Sequence, residues 1–238
     1  RCVEECSKEI MKENKVSTNG DGKLALAIIV LLLVIDQAIK IWVKTHMMLG
    51  EDIRITDWFY INFVENNGMA YGMTFINKFV LSLLRIVAVV FIGIYIRRMS
   101  RAKASWGYVA CLSAVMAGAA GNIFDSLFYG LCFSESTFWT VSEYVGFGHG
   151  YASMLMGKVV DMFYFPIIRT TYPAWVPFKG GAPFVFFSPV FNFADACISC
   201  GVVALLLFYR NELSQLSLSL DFKKRKTERD ENEQKDNK

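Results

Sequence analysis

Four long apolar runs constrain this chain more than any other feature. They are Leu24 to Val43 ("LALAIIVLLLVIDQAIKIWV"), Phe79 to Ile96 ("FVLSLLRIVAVVFIGIYI"), about Ser105 to Leu127, and Val190 to Tyr209. Each has the length that crosses a bilayer core of roughly 30 Å, and each is too long for an ordinary core helix. A bilayer accepts only backbone that satisfies its own hydrogen bonds, so the runs are expected as helices. The expected fold class is an all-α membrane protein with four transmembrane helices. The first run is not a cleaved signal peptide, because it is too long and no small-residue cleavage site follows it.

Charge lies between and beyond these runs, so the net charge of +3 does not point to nucleic acid. "RRMSRAK" (Arg97 to Lys103) joins runs two and three, and "KKRK" (Lys223 to Lys226) follows run four. Basic connections stay on the cytoplasmic side. Both termini are therefore expected inside, with outer segments at about 45–78 and 128–189. The organisation expected is a cytoplasmic segment over 1–23, a membrane domain over 24–210 and a charged tail over 211–238 without a packed core. The chain opens on Arg1, and Met11 is a candidate start after an extension. All five prolines (Pro166, Pro173, Pro177, Pro183 and Pro189) fall in the second outer segment. That favours a strand-and-loop cap at the membrane surface over regular helix.

Against this apolar background two aspartates stand out, Asp161 in "KVVDMFYFP" and Asp195 in "FNFADAC". An ionised carboxylate in such surroundings is costly unless it is paired, solvated or neutralised. Asp36 and Lys40 are four apart in the first run, so they share a helix face and can pair. Asp36 should lie roughly 13 Å inside the outer end of its helix and Asp195 roughly 8 Å, at 1.5 Å per residue. Asn122 and Asp125 fall at the outer end of the third run. The polar groups thus gather in the outward half of the bundle. For Asp36 and Lys40 an interhelical contact that only holds helices together is the alternative to a role in a site.

The side-chain inventory narrows the chemistry. There are two histidines, His46 and His149, so a Ser–His or Cys–His nucleophile and a His-rich metal site are hard to assemble. Ser153 and Lys158 are a weak candidate dyad in a loop. Of the six cysteines, Cys2 and Cys6 fall on the cytoplasmic side, Cys111 in mid-membrane and Cys132 outside. Cys197 and Cys200 form a CxxC inside an apolar helix without a second ligand pair, and they read as small buried hydrophobes. No cofactor or metal is expected. Two close carboxylates remain, and such a pair shares one proton. One member can activate water while the other, still protonated, polarises a carbonyl, which is aspartic peptidase chemistry.

Five blocks in order now carry a resemblance. They are "DQAIK" (Asp36 to Lys40), "NNGMAYG" (Asn66 to Gly72), "GNIFD" (Gly121 to Asp125), "VVD" (Val159 to Asp161) and "FNFAD" (Phe191 to Asp195). The chain resembles the lipoprotein signal peptidase (signal peptidase II) family of bacterial membrane aspartic peptidases. The resemblance implies that Asp161 and Asp195 are catalytic and that Asn66 and Gly68 lie near substrate. It implies that Asn122 and Asp125 belong to the supporting block, that Asn192 and Ala194 flank the second carboxylate, and that Asp36 and Lys40 are a supporting pair. It also implies a small extracytoplasmic β-cradle and a surface amphipathic helix added to the bundle. The implied substrate is a prolipoprotein whose lipobox cysteine carries diacylglycerol, cut just before that cysteine. The implied setting is the bacterial inner membrane with the active site at its outer face, membrane lipid as partner, no nucleic acid, and a monomer.

Three departures accompany the resemblance. Ser126 stands where the family has Arg, Tyr71 where it has Phe, and the stretch from Leu131 to Gly157 is longer than the family's link and is a candidate lid. Arg85 interrupts the second run roughly 10 Å from its outer end. It either snorkels to the headgroups or faces the bundle and restores the missing positive charge beside Asp125 or Asp36. A proton-coupled transporter with Asp36, Asp195 and Arg85 as relay groups is the alternative function. Against it, the acids cluster at one membrane face and no internal repeat is present.

Overall fold

The first helix, α1 (Gly22–His46), is polar on its inside and apolar on its outside. Asp36, Lys40, Val43 and Lys44 recur at helical spacing and are buried, whereas Leu26, Leu31, Val34 and Trp42 are exposed. This inversion is what a bilayer selects, with hydrocarbon on the outside and paired charges within the bundle. The structure, a computed structural model, describes residues 22–67 and 78–214. After α1 come β1 (Asp52–Arg54), β2 (Tyr60–Asn66), α2 (Lys78–Arg101) and α3 (Trp106–Phe124). A π-helical turn (Asp125–Tyr129) and a last turn (Gly130–Cys132) prolong α3. Then follow β3 (Val159–Tyr164), β4 (Ile168–Thr171), β5 (Pro183–Phe186), β6 (Val190–Phe191) and α4 (Phe193–Phe208).

Three of these helices, Gly22–His46, Lys78–Arg101 and Trp106–Cys132, are long and apolar enough to cross a membrane. The fourth expected span is shorter than the apolar run that suggested it. α4 has 16 residues, because Val190 and Phe191 are spent pairing with Tyr164 and Phe163 as strand β6. Asn192 then caps the helix, so Asp195 lies in its first turn rather than 8 Å along it. The third helix runs to Cys132 instead of ending near Leu127, which moves Asp125 from the helix end into the interior.

α3 is the central helix, and the string "AGAAG" (Ala117 to Gly121) lets its neighbours approach. A Cβ on Gly118 would lie 2.2 Å from the Ala194 carbonyl oxygen, and one on Gly121 would lie 2.5 Å from Asp36 Oδ2. Only glycine permits such approach of α4 and α1. At the end of the bundle away from the strands, Ala25, Ile96, Tyr108, Val109, Leu112 and Leu205 form an apolar core.

The other end is covered by sheet, a larger β component than an all-α label conveys. An antiparallel four-stranded sheet has the order β1-β2-β3-β6, and β4 and β5 form a separate antiparallel pair. Phe63, Val160 and Met162 pack from the sheet onto Val43 and Met47 of α1 and onto Tyr129 and Phe133. The Arg169 guanidinium lies 4.7 Å from the Tyr60 ring centroid and ties the second pair to the first. From Phe133 to Asn192 the chain is strand and loop, as the prolines suggested. A separate surface amphipathic helix is not found among the described residues, and 68–77 lie outside them.

Candidate active site

β3 delivers Asp161 by simple alternation. Val160 and Met162 are fully buried in the sheet's packed face, so Asp161 points to the opposite one. On β2 a register shift between Ile61 and Val64 inserts an extra residue. Ile61 pairs with Phe163 before it, and Val64 and Asn66 pair with Asp161 and Val159 after it. Without this bulge Asn66 would fall on the packed face and Glu65 on the face of Asp161. With it, Asn66 Nδ2 donates to Asp161 Oδ2 at 3.1 Å.

α4 delivers Asp195 through its own cap. Asn192 is the N-cap and Asp195 is three residues on, and each side chain accepts from the other's backbone N–H, completing a capping box. The Asn192 side chain has a second task, because its Nδ2 donates to Asp161 Oδ1 at 2.6 Å. One asparagine thus links the helix that carries Asp195 to the strand that carries Asp161. From α3, Asn122 Nδ2 donates to Asp195 Oδ1 at 2.8 Å, and Asn122 Oδ1 accepts from Lys40 Nζ at 2.9 Å and from Asn192 Nδ2 at 3.1 Å.

The two carboxylates differ in setting. Asp161 is 3% exposed, and Asp195 is only half-buried. Burial, then the like charge of Asp195, pushes the Asp161 carboxyl up to about 7. Hydrogen bonds from Asn66 and Asn192 and the charge of Lys40 act in the other direction. A carboxyl of this kind keeps its proton near neutrality beside a second, more exposed acid.

Behind the pair lies a fully buried ionic cluster. Lys40 Nζ stands 3.0 Å from Asp36 Oδ2 and 2.8 Å from Asp125 Oδ2. Gln37 Nε2 donates to Asp125 Oδ1 at 2.9 Å, and Gln37 Oε1 accepts from Tyr129 at 3.1 Å. The wider π turn brings Asp125, Ser126 and Tyr129 all to the buried side. The cluster holds both elements of the site. Asp36 Oδ1 accepts from the Ala194 N–H at 2.9 Å, next to Asp195, and Asp125 Oδ2 accepts from the Val160 N–H at 3.4 Å, next to Asp161. The expected Asp36–Lys40 pair thus joins α1 to both elements that carry the two aspartates.

Of the residues expected at the site, Asp161, Asp195, Asn66, Asn122, Asn192, Ala194, Asp36, Lys40 and Asp125 come together. Gly68, like Tyr71, lies outside the described residues. Arg85 is half-buried, and the carboxylates acting on it are, in decreasing order, Asp195, Asp161 and Asp125. Its charge thus acts on both members of the pair as well as on Asp125. Ser126 is buried and donates to the Asn122 carbonyl, which leaves little room there for an arginine.

Lys158 is not paired with Ser153 but engages Glu65 and Glu135. Gln37, Tyr129, Lys44 and Glu65 were not singled out from sequence. Gln37 sits inside "DQAIK" and Lys44 one turn beyond Lys40, which were the available signals.

The family described as "Signal peptidase (SPase) II" matches residues 28–210. A lipoprotein signal peptidase of Porphyromonas gingivalis is 50% identical over 204 residues, covering 85% of this chain and 88% of that protein. One from Amoebophilus asiaticus is 33% identical over 199 residues, covering 79% and 78%. A solved bacterial membrane enzyme shares the fold with a TM-score of 0.54 at 20% identity, over 83% of this chain and 94% of that one. With the match of the family over most of its length and a relative 50% identical over 85% of it, the chain belongs to the signal peptidase II family.

Proposed function

We propose that this chain is an aspartic endopeptidase of the bacterial inner membrane that removes the signal peptide from diacylglyceryl-modified prolipoproteins, with Asp161 and Asp195 as its catalytic dyad. The observation that carries the reading is the pairing of a buried, proton-holding Asp161 with a more open Asp195 through Asn192. In this scheme Asp195 takes a proton from water, whose oxygen attacks the scissile carbonyl carbon. Asp161 gives its proton to the carbonyl oxygen, and the resulting diol collapses as Asp195 passes its proton to the leaving amine and a diol hydroxyl returns one to Asp161, which restores both acids to their starting states. Asn66, Asn122 and Asn192 hold the two carboxylates in place, and Lys40 with Asp36 and Asp125 holds the elements that carry them. Arg85 adds positive potential beside the dyad. Gly68 is assigned a place near substrate from the family pattern alone.

The lipid anchor supplies position. A diacylglyceryl group keeps the scissile bond at the membrane surface, and tethering of this kind replaces a bimolecular encounter with an oriented one. The accompanying topology is four spans with both termini cytoplasmic and the dyad at the outer face, in a monomer, with 24–210 as the peptidase domain between the terminal segments 1–23 and 211–238. The test is purified protein in detergent with lipidated and unlipidated precursor, read as a gel mobility shift with the cut located by mass. Cleavage before the cysteine of the lipidated form alone is expected. Equal rates on both forms would remove the lipid requirement, and no cleavage of either would remove the reading.

A further inference from the structure

Behind β2, on the side away from Asp161, lies a second buried ionic cluster that the peptidase chemistry does not use. Lys44 has no exposed surface, and its Nζ is 2.6 Å from Glu65 Oε1 and 2.9 Å from Ser136 Oγ. Ser136 donates to the same Glu65 oxygen at 2.8 Å. The Glu65 side chain is 2% exposed. Its Oε2 makes no hydrogen bond of good geometry, and its contact with Lys158 Nζ at 3.2 Å is an ion pair only. The Phe133 and Tyr151 rings flank Lys44 Nζ at 5.8 and 5.1 Å. Burying such groups is expensive, and removing one partner strands the other.

Most of the groups around Lys44 and Glu65 belong to the long segment 131–157. That segment is fastened rather than hinged. Gly157 donates to the Ser126 carbonyl at 3.0 Å, Ala152 to that of Gly130 at 2.8 Å, and Leu49 to that of Thr137 at 3.0 Å. Cβ atoms on Gly150 and Gly157 would lie 2.1 and 2.3 Å from backbone oxygens of Gly130 and Asp125. From α2, Lys78 Nζ and Ser82 Oγ donate to the carbonyls of Met156 and Leu155. A free lid would not be interlocked in this way.

Ser136 and Lys44 stand at the separation of a serine–lysine dyad, but Ser136 is 3% exposed and its hydroxyl donates to Glu65. That leaves no place for a scissile carbonyl. We infer that Glu65 is a positioning residue for the dyad, and that Lys44 and the segment 131–157 hold it in place. Successive strand residues face opposite ways, so fixing Glu65 behind the sheet turns Asn66 toward Asp161. The clamp acts just beyond the bulge between Ile61 and Val64, where β2 can relax by one residue. Such a slip would take Asn66 away from Asp161 and bring the Glu65 carboxylate to it.

The inference rests on the dyad assignment above, and the pH–rate profile on lipidated precursor tests it. The charged groups acting around Glu65 are Lys44, Lys158 and Lys78, with Glu135 held by Lys158. Around Asp161 they are Asp195 and Lys40, with Arg85 and Asp125 nearby. Losing the Asn66 hydrogen bond lets Asp161 keep its proton to higher pH, so Asn66→Ala should move the high-pH limb upward. Glu65→Gln weakens the clamp, and Lys44→Met with Glu65→Leu removes it without stranding a buried charge.

Both forms should lower kcat on the order of tenfold or more, with KM little changed, and both should move the limb in the same direction as Asn66→Ala. Adding Asn66→Ala to the clamp-free variant should move it no further. A folded clamp-free variant with an unmoved limb, or shifts that add, would overturn the inference. Full activity in Asp161→Asn would instead remove the dyad on which it rests.

Discussion

Replacing Asp161 by Asn should abolish activity and at the same time stabilise the protein as pH rises. Asp161 is buried, and its carboxyl is held up to about 7 against an ordinary value of 3.8. A carboxyl whose folded value lies above its unfolded one is favoured with its proton on. Its contribution is fully present at low pH and is lost as pH climbs from about 4 to about 7. At 1.36 kcal/mol for each pH unit in that window, the loss approaches about 4 kcal/mol by pH 8. For a chain of this length that is on the order of 10 °C in Tm. The substituted amide carries no titrating proton and escapes the loss. Its NH₂ also meets the donors Asn66 and Asn192, which adds an offset that does not vary with pH.

The quantity to measure is therefore the difference between the two proteins' unfolding free energies in detergent, from about pH 5 to about pH 8.5. It should grow in favour of Asp161→Asn across the range. Parallel curves would refute the account of Asp161 as a buried acid that holds its proton near neutrality.

Two further outcomes follow from the packing around the pair. Lys40→Met strands the buried Asp36 and Asp125 carboxylates and should cost about 3–5 kcal/mol. Adding Asp125→Asn should recover part of that, and denaturant unfolding of the single and double variants would measure the coupling. Gly118→Ala places a methyl 2.2 Å from the Ala194 carbonyl oxygen, a backbone atom that cannot rotate aside, and 2.8 Å from the Ile198 side chain. It should cost about 1–3 kcal/mol by overpacking and, by shifting the first turn of α4, lower kcat by up to about 10²-fold. A fully active Gly118→Ala enzyme would show that α4 can be displaced without moving Asp195 out of register.

The outline of this site was legible because its residues fall in short blocks at helix ends. "DQAIK" supplied a helix-face pair, and "NFAD" carries the cap and the residue three beyond it that together form the Asn192–Asp195 box. What the blocks did not convey was depth. Asp125 looked like an end-of-helix residue, yet a π turn and one more helical turn follow it and draw it inward to Lys40. α4 was read too long because Val190 and Phe191 are as apolar as the helix they precede, and only their pairing with β3 makes them strand. The bulge on β2 was invisible for a similar reason. An extra residue exists only relative to a partner strand, and β3 lies almost a hundred residues further on. The Lys44–Glu65–Ser136 clamp is assembled from three segments whose sequence separations hide it. The stretch 131–157 is a candidate lid on its length alone, and length does not convey that Gly150 and Gly157 permit the close backbone contacts that fix it in place.

The central claim is that Asp161 and Asp195 together cleave the precursor. The most direct test is single-turnover cleavage of a lipidated precursor by Asp161→Asn and Asp195→Asn, each first shown to elute as a single folded species with unchanged helical content. Cleavage by neither variant above the enzyme-free blank is the predicted result. Cleavage at a rate near that of the unaltered protein by either one would contradict it.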